Sequence, residues 1–94
     1  MKILAIEKDI KGFNSEDFKQ LLKEEAKHVW KLYEQGIIRE IYFNQHHNAI
    51  LVFEENSLEA TLKITQEFPL VKNKLIEFEF MELNPYSGFK RLFI

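Results

Sequence analysis

Ile37-Ile38-Arg39-Glu40-Ile41-Tyr42-Phe43-Asn44-Gln45-His46-His47-Asn48-Ala49-Ile50-Leu51-Val52-Phe53-Glu54 is the stretch on which the fold turns. Two runs rich in β-branched and aromatic residues, Ile37 to Gln45 and Ala49 to Glu54, flank the polar break His46-His47-Asn48. That pattern predicts a β-hairpin.

Helical signals lie on both sides of it. Upstream, Phe18, Leu22, Val29, Leu32 and Tyr33 recur with helical period between Glu16 and Gln35, with Leu21 beside them. Ser15 is a good N-cap, Glu16 and Asp17 suit the positive end of a helix, and Gly36 supplies the stop. Lys11-Gly12-Phe13-Asn14 reads as the turn before it, and residues 2–9 as a first strand. Downstream, Asn56 or Ser57 caps a second helix that runs to about Phe68, where Pro69 stops it. Leu75 to Leu83 is the last strand, and Asn84-Pro85-Tyr86-Ser87-Gly88 leads into an aromatic tail, Phe89 to Ile94.

The order is therefore β-α-β-β-α-β across residues 1–94, read as one α+β domain of ferredoxin-like type. It implies a four-stranded antiparallel sheet with both helices on one face. The other face of such a sheet is ordinarily polar. Here it is not, because Leu4 and Ile6 oppose Ile3 and Ala5, and Ile50 and Val52 oppose Ala49, Leu51 and Phe53. A sheet apolar on both sides calls for a second cover, most simply another copy related by two-fold symmetry. The tail, with Phe89, Leu92 and Phe93, either latches onto a neighbouring subunit or folds back on its own helices.

A chain of 94 residues has a marginal core, and with no cysteine neither a disulfide nor a thiolate metal site reinforces it. A homodimer or higher homo-oligomer is the expected reinforcement. The net charge of −2, with lysines scattered among glutamates, disfavours nucleic acid as a partner. The run Ile3-Leu4-Ala5-Ile6 is too short for a signal-peptide core or a membrane span, so the cytoplasm is the expected location.

Glu25 is the residue that breaks the pattern. On a helical wheel it falls inside the sector of Phe18, Leu22, Val29 and Leu32. A carboxylate there is either paired structurally, held protonated, or used as a general acid or base in a pocket. His28 lies one turn further on and is the candidate proton partner. Glu25-x-x-His28 has the spacing of a di-iron helix motif, but the further carboxylates of such a site are lacking, and no metal or cofactor is assigned. His46 and His47 more plausibly decorate a turn than bind metal. Tyr42 and Asn44 share one sheet face and are candidate ligand contacts, with Phe53 on the next strand. Trp30 lies off the apolar stripe and suggests contact with another element or subunit.

From Glu25 onward the chain resembles the muconolactone isomerase-like family of dimeric α+β barrel proteins. The resemblance rests on Leu32-Tyr33-Glu34-Gln35-Gly36, Arg39 to Phe43, Val52-Phe53-Glu54, Phe68-Pro69-Leu70-Val71 and Ile76-Glu77-Phe78-Glu79, in that order and spacing. It implies a cofactor-free enzyme that moves a proton on a lactone or related carbonyl compound, with Glu25 at the position of the family's glutamate. The family's lysine, three residues earlier, is replaced here by Leu22. That change removes a cation that would stabilise an enolate. Alternatives are a non-catalytic ligand-binding or assembly module and a cofactor-independent monooxygenase.

Overall fold

The computed structural model describes residues 1–10 and 16–94, with side chains from Phe18 onward after the gap. The turn expected at Lys11 to Asn14, the Ser15 cap and the side chains of Glu16 and Asp17 lie outside the described residues. In chain order the elements are β1 (Lys2–Asp9), α1 (Glu16–Glu34), β2 (Ile38–Phe43), β3 (Ala49–Glu54), α2 (Leu58–Thr65), α3 (Pro69–Lys72) and β4 (Ile76–Leu83). A 3₁₀ segment, Gly88–Phe93, follows.

The strands form one antiparallel sheet in the order β2-β3-β1-β4. Residues directly opposite one another share a face, so Ile3 with Phe53 and Ala5 with Leu51 and Phe80 define the inner side. Leu32 of α1 and Phe68, just before α3, close the core over Ile3, Ala5, Ile38, Leu51 and Phe53. In β2 the register shifts between Ile38 and Glu40. Arg39 is the extra residue of this bulge, which lets Ile38 and Ile41 both lie on the inner sheet face although they are three apart.

The helix ends follow from local chemistry. Gly36, at φ 76°, completes a Schellman motif: Ile37 N–H donates to Leu32 C=O at 3.0 Å and Gly36 N–H to Tyr33 C=O at 3.1 Å. Ser57 Oγ accepts from Ala60 N–H at 3.1 Å and starts α2. This helix ends at Thr65, earlier than expected. Pro69 does not merely stop it but opens the short α3, because proline at a first helical position has no N–H to lose and a preset φ. Lys74, at φ 58°, then closes α3 as Gly36 closes α1, with Leu75 N–H on Leu70 C=O at 3.0 Å.

The centre of the outer sheet face is apolar, and charged residues such as Lys8, Glu40, Glu77 and Glu79 lie around it. Leu4, Ile6 and Ile50 are half-buried, Val52 is buried, and Met81 and Tyr42 are exposed. Glu79 on this face pairs with Lys8 at 3.1 Å. The tail does not fold back on the helices: Leu92 and Phe93 are 74% and 85% exposed. The molecule is 60 Å long by 27 Å and 20 Å, and its radius of gyration is 15.6 Å. A compact chain of this length would have about 12 Å. Gly88 lies close to the exposed Tyr86 ring, which would have to swing aside for a side chain there.

Candidate active site

A cavity of about 530 Å³ lies between α1, from Phe18 to Trp30, and one end of the sheet. Phe18, Leu22, Glu25, Ala26, Val29 and Trp30 form the α1 wall. The end of β1 contributes Glu7 and Asp9, the hairpin contributes Ile41, Phe43, His46, His47, Ala49 and Leu51, and Phe68, Leu70, Ile76 and Phe78 complete it. This explains why Leu22, inside the apolar stripe of α1, is 43% exposed: it faces the cavity. Volume and apolar walls are those of a small-molecule site.

Glu25 sits in this wall. Leu70 N–H donates to its Oε1 at 3.1 Å. That N–H is available because the first amides of any helix, here α3, have no partner within it. Arg39, a conceivable partner, instead donates from Nε to Gly36 C=O at 2.6 Å. Burial raises the Glu25 carboxyl to about 7, opposed by the Leu70 bond and reinforced by the charge of Glu7.

Glu7 is the functional candidate that pattern reading missed. It follows Ile3 and Ala5 on the inner face of β1, so strand alternation alone carries it under the helices. Its Oε2 accepts from Ala49 N–H at 2.7 Å, tying the end of β1 to the start of β3. Burial raises its pKa, partly offset by the Ala49 bond and increased by Asp9. The cavity thus holds two half-buried carboxylates, and none of its described lining residues is lysine or arginine.

The other candidates lie elsewhere. His28 does not line the cavity. It meets Phe68 edge-on, with centroids 5.0 Å apart, and Phe68 lines the cavity in its place. Its buried Nε2 has no hydrogen-bond partner among the described residues, and burial lowers its pKa. Tyr42 points to the outer face and donates to Glu40 Oε1 at 2.9 Å. Asn44 serves the hairpin: its Oδ1 accepts from His46 N–H at 2.9 Å and Asn48 N–H at 3.0 Å. Phe53 is fully buried in the core, one residue pair beyond the cavity floor formed by Leu51. Tyr42, Asn44 and Phe53 are therefore not lining residues of this cavity: one by strand parity, one by turn geometry, one by packing. His46 and His47 do decorate the turn, with His47 at φ 60°, and both also reach the cavity. Trp30 meets Tyr33 at 6.1 Å and is 61% exposed at the cavity edge. No group of three or more metal-ligating side chains occurs among the described residues. Among those residues, no helix is long and apolar enough to cross a membrane.

No family model matches the chain, and no curated protein matches it in sequence. Solved structures do match. The crystal structure of muconolactone isomerase is similar with a TM-score of 0.80 and 19% identity, over 94% of this chain and 93% of that one. The 5-chloro-2-hydroxyhydroquinone dehydrochlorinase of Burkholderia phenoliruptrix AC1100, in complex with 2,5-dihydroxybenzoquinone, is similar with a TM-score of 0.68 and 15% identity, over 94% and 98%. At these identities the likeness is one of fold: the chain has the four-stranded α+β architecture of muconolactone isomerase.

Proposed function

We propose that this protein is a small-molecule enzyme that moves a proton on a cyclic carbonyl compound, with Glu25 as the proton carrier. The observation that supports it is a carboxyl group in an apolar cavity, held near the pH at which it can both take and give a proton. Leu70 N–H fixes one oxygen of Glu25, which leaves the other for a ligand in the cavity. In the ionised form Glu25 removes a proton from carbon adjacent to, or conjugated with, the carbonyl. The proton then returns to a different carbon. No electrons are gained or lost, so no cofactor is required. Burial is the main reason that Glu25 is basic, and the charge of Glu7 adds to it.

Both structural neighbours are consistent with such a site in their names alone. Isomerisation of a lactone and removal of HCl from a hydroxyhydroquinone each require a proton to leave the ring system. His28 would act only indirectly, through Phe68 and the setting of α1.

The test is hydrogen–deuterium exchange. Muconolactone and 2,5-dihydroxybenzoquinone are incubated in D₂O with the protein, and ring protons are followed by NMR. Exchange above the buffer rate that disappears in Glu25→Gln supports the proposal. Exchange that Glu25→Gln retains in full, or none above buffer with either compound, refutes it.

The apolar outer sheet face supports a homo-oligomer as the working form, with a second sheet covering Leu4, Ile6, Ile50 and Met81.

A further inference from the structure

The turn between β2 and β3 carries a side chain that the turn itself does not need. His47 N–H donates to Asn44 C=O at 3.0 Å, and Asn44 N–H donates to Asn48 C=O at 3.0 Å. Asn44 Oδ1 accepts from the amides of His46 and Asn48, and Glu7 Oε2 accepts from that of Ala49. The turn is thus fastened both within itself and to β1. So tight a connection needs a left-handed residue, and position 47 supplies it at φ 60°. Glycine takes that conformation without strain, whereas most side chains raise its energy. A histidine is held there nonetheless, and it lines the cavity. Strained backbone of this kind clusters at functional sites.

The proton transfer proposed above, on which this inference rests, calls for a second group. When Glu25 takes a proton from carbon, the electron pair moves onto the carbonyl oxygen, and a hydrogen-bond donor aimed at that oxygen lowers the barrier. Leu22 offers none. Among the described lining residues, the side chains that can carry an N–H are Trp30, His46 and His47. Trp30 lies against Tyr33 at the cavity edge. His46 Nε2 lies 3.5 Å from the side-chain nitrogen of Gln45. The His47 ring instead meets Phe43, another lining residue, with centroids 6.1 Å apart, and has no hydrogen bond to a described residue. We infer that His47 is a second catalytic residue, whose ring N–H holds the carbonyl oxygen while Glu25 carries the proton. The electron pair returns to carbon when Glu25 gives the proton back. The charge on oxygen is transient, and His47 keeps its own proton throughout.

The test is His47→Gly, which removes the ring and relieves the strain. Deuterium exchange of muconolactone and 2,5-dihydroxybenzoquinone is followed with and without added imidazole. Binding of the same two compounds is read from the indole N–H resonance of Trp30, the single tryptophan, which lines the cavity. In urea the variant should be at least as stable as wild type. At saturating ligand it should exchange at least about tenfold more slowly. Imidazole should restore part of the lost rate in this variant and none in Glu25→Gln, a response that a purely structural side chain would not give. A rate in His47→Gly within about threefold of wild type overturns the inference. A loss that imidazole leaves unchanged also overturns it, as does a larger loss in His46→Ala. If wild type binds the compounds without exchange, the proton-transfer reading falls by itself. Weaker binding in His47→Gly, recovered with imidazole, would then keep His47 as a donor to the ligand, and unchanged binding would remove it too. A wild type that neither binds nor exchanges overturns both.

Discussion

Glu25 Oε1 accepts a hydrogen bond from the backbone N–H of Leu70 at 3.1 Å, across 45 positions of sequence. The bond ties the middle of α1 to the first turn of α3. It joins the helix that carries Glu25 to the element that Pro69 begins. Without it, burial of the carboxylate would go uncompensated on that side. With it, one oxygen is oriented and the group still titrates far above an ordinary glutamate.

That shift makes stability depend on pH in a definite sense. The folded chain holds the Glu25 proton up to about 7, whereas the unfolded chain releases it near 4.5. Between these values the folded state binds more protons, so stability falls as pH rises through the window and levels off above it. Glu7, also raised, acts in the same direction. Glu25→Gln keeps the acceptor for Leu70 and lacks the charge. Urea denaturation should find it more stable than wild type at pH 8, by about 1 kcal/mol once solvent screening is allowed for, and equal to it at pH 4. Identical curves at both pH values would contradict a buried carboxylate.

Glu7 should control the basicity of Glu25. Glu7→Gln retains an acceptor for Ala49 N–H and removes the neighbouring charge. The acid limb of the exchange rate against pH, expected near 7 in wild type, should move to lower pH in this variant. An unmoved limb would mean that the two carboxyl groups do not interact.

His28 is expected to be dispensable for chemistry. Its buried Nε2 lacks a partner among the described residues, so a polar atom is desolvated there without return. His28→Leu should leave the exchange rate within about threefold of wild type and stability within about 1 kcal/mol, in either direction. A hundredfold loss of rate with the fold intact would restore it as a proton partner.

The outer face should mediate association. Ile50 and Met81 lie there, the first half-buried and the second exposed. Light scattering should give a multiple of the 11.3 kDa chain mass for wild type. Ile50→Lys together with Met81→Lys should reduce it to that of the single chain. A monomeric wild type would leave the apolar face without the cover assigned to it.

Much of this architecture is legible from residue patterns, because strand alternation and the punctuation at Gly36, Ser57 and Pro69 act locally. The bulge at Arg39 is not legible, since it depends on pairing with β3. The short α3 escapes for a related reason: Pro69 signals an ending as readily as a beginning. Glu25 is visible as a charge inside an apolar stripe. Glu7 is equally placed by alternation after Ile3 and Ala5, but at the end of a strand a charged residue reads as an exit to solvent. Tyr42, Asn44 and Phe53 illustrate the limit of parity. Alternation shows which residues share a face, while helix packing and turn geometry decide which face meets a cavity.

The most direct test is a carbon-13 NMR titration of the side-chain carboxyl of Glu25, assigned by its loss in Glu25→Gln. A midpoint near 7 is expected, moving downward in Glu7→Gln. A midpoint near 4.5, unaffected by Glu7, would mean that this carboxylate is solvated like any surface glutamate and carries no proton for catalysis.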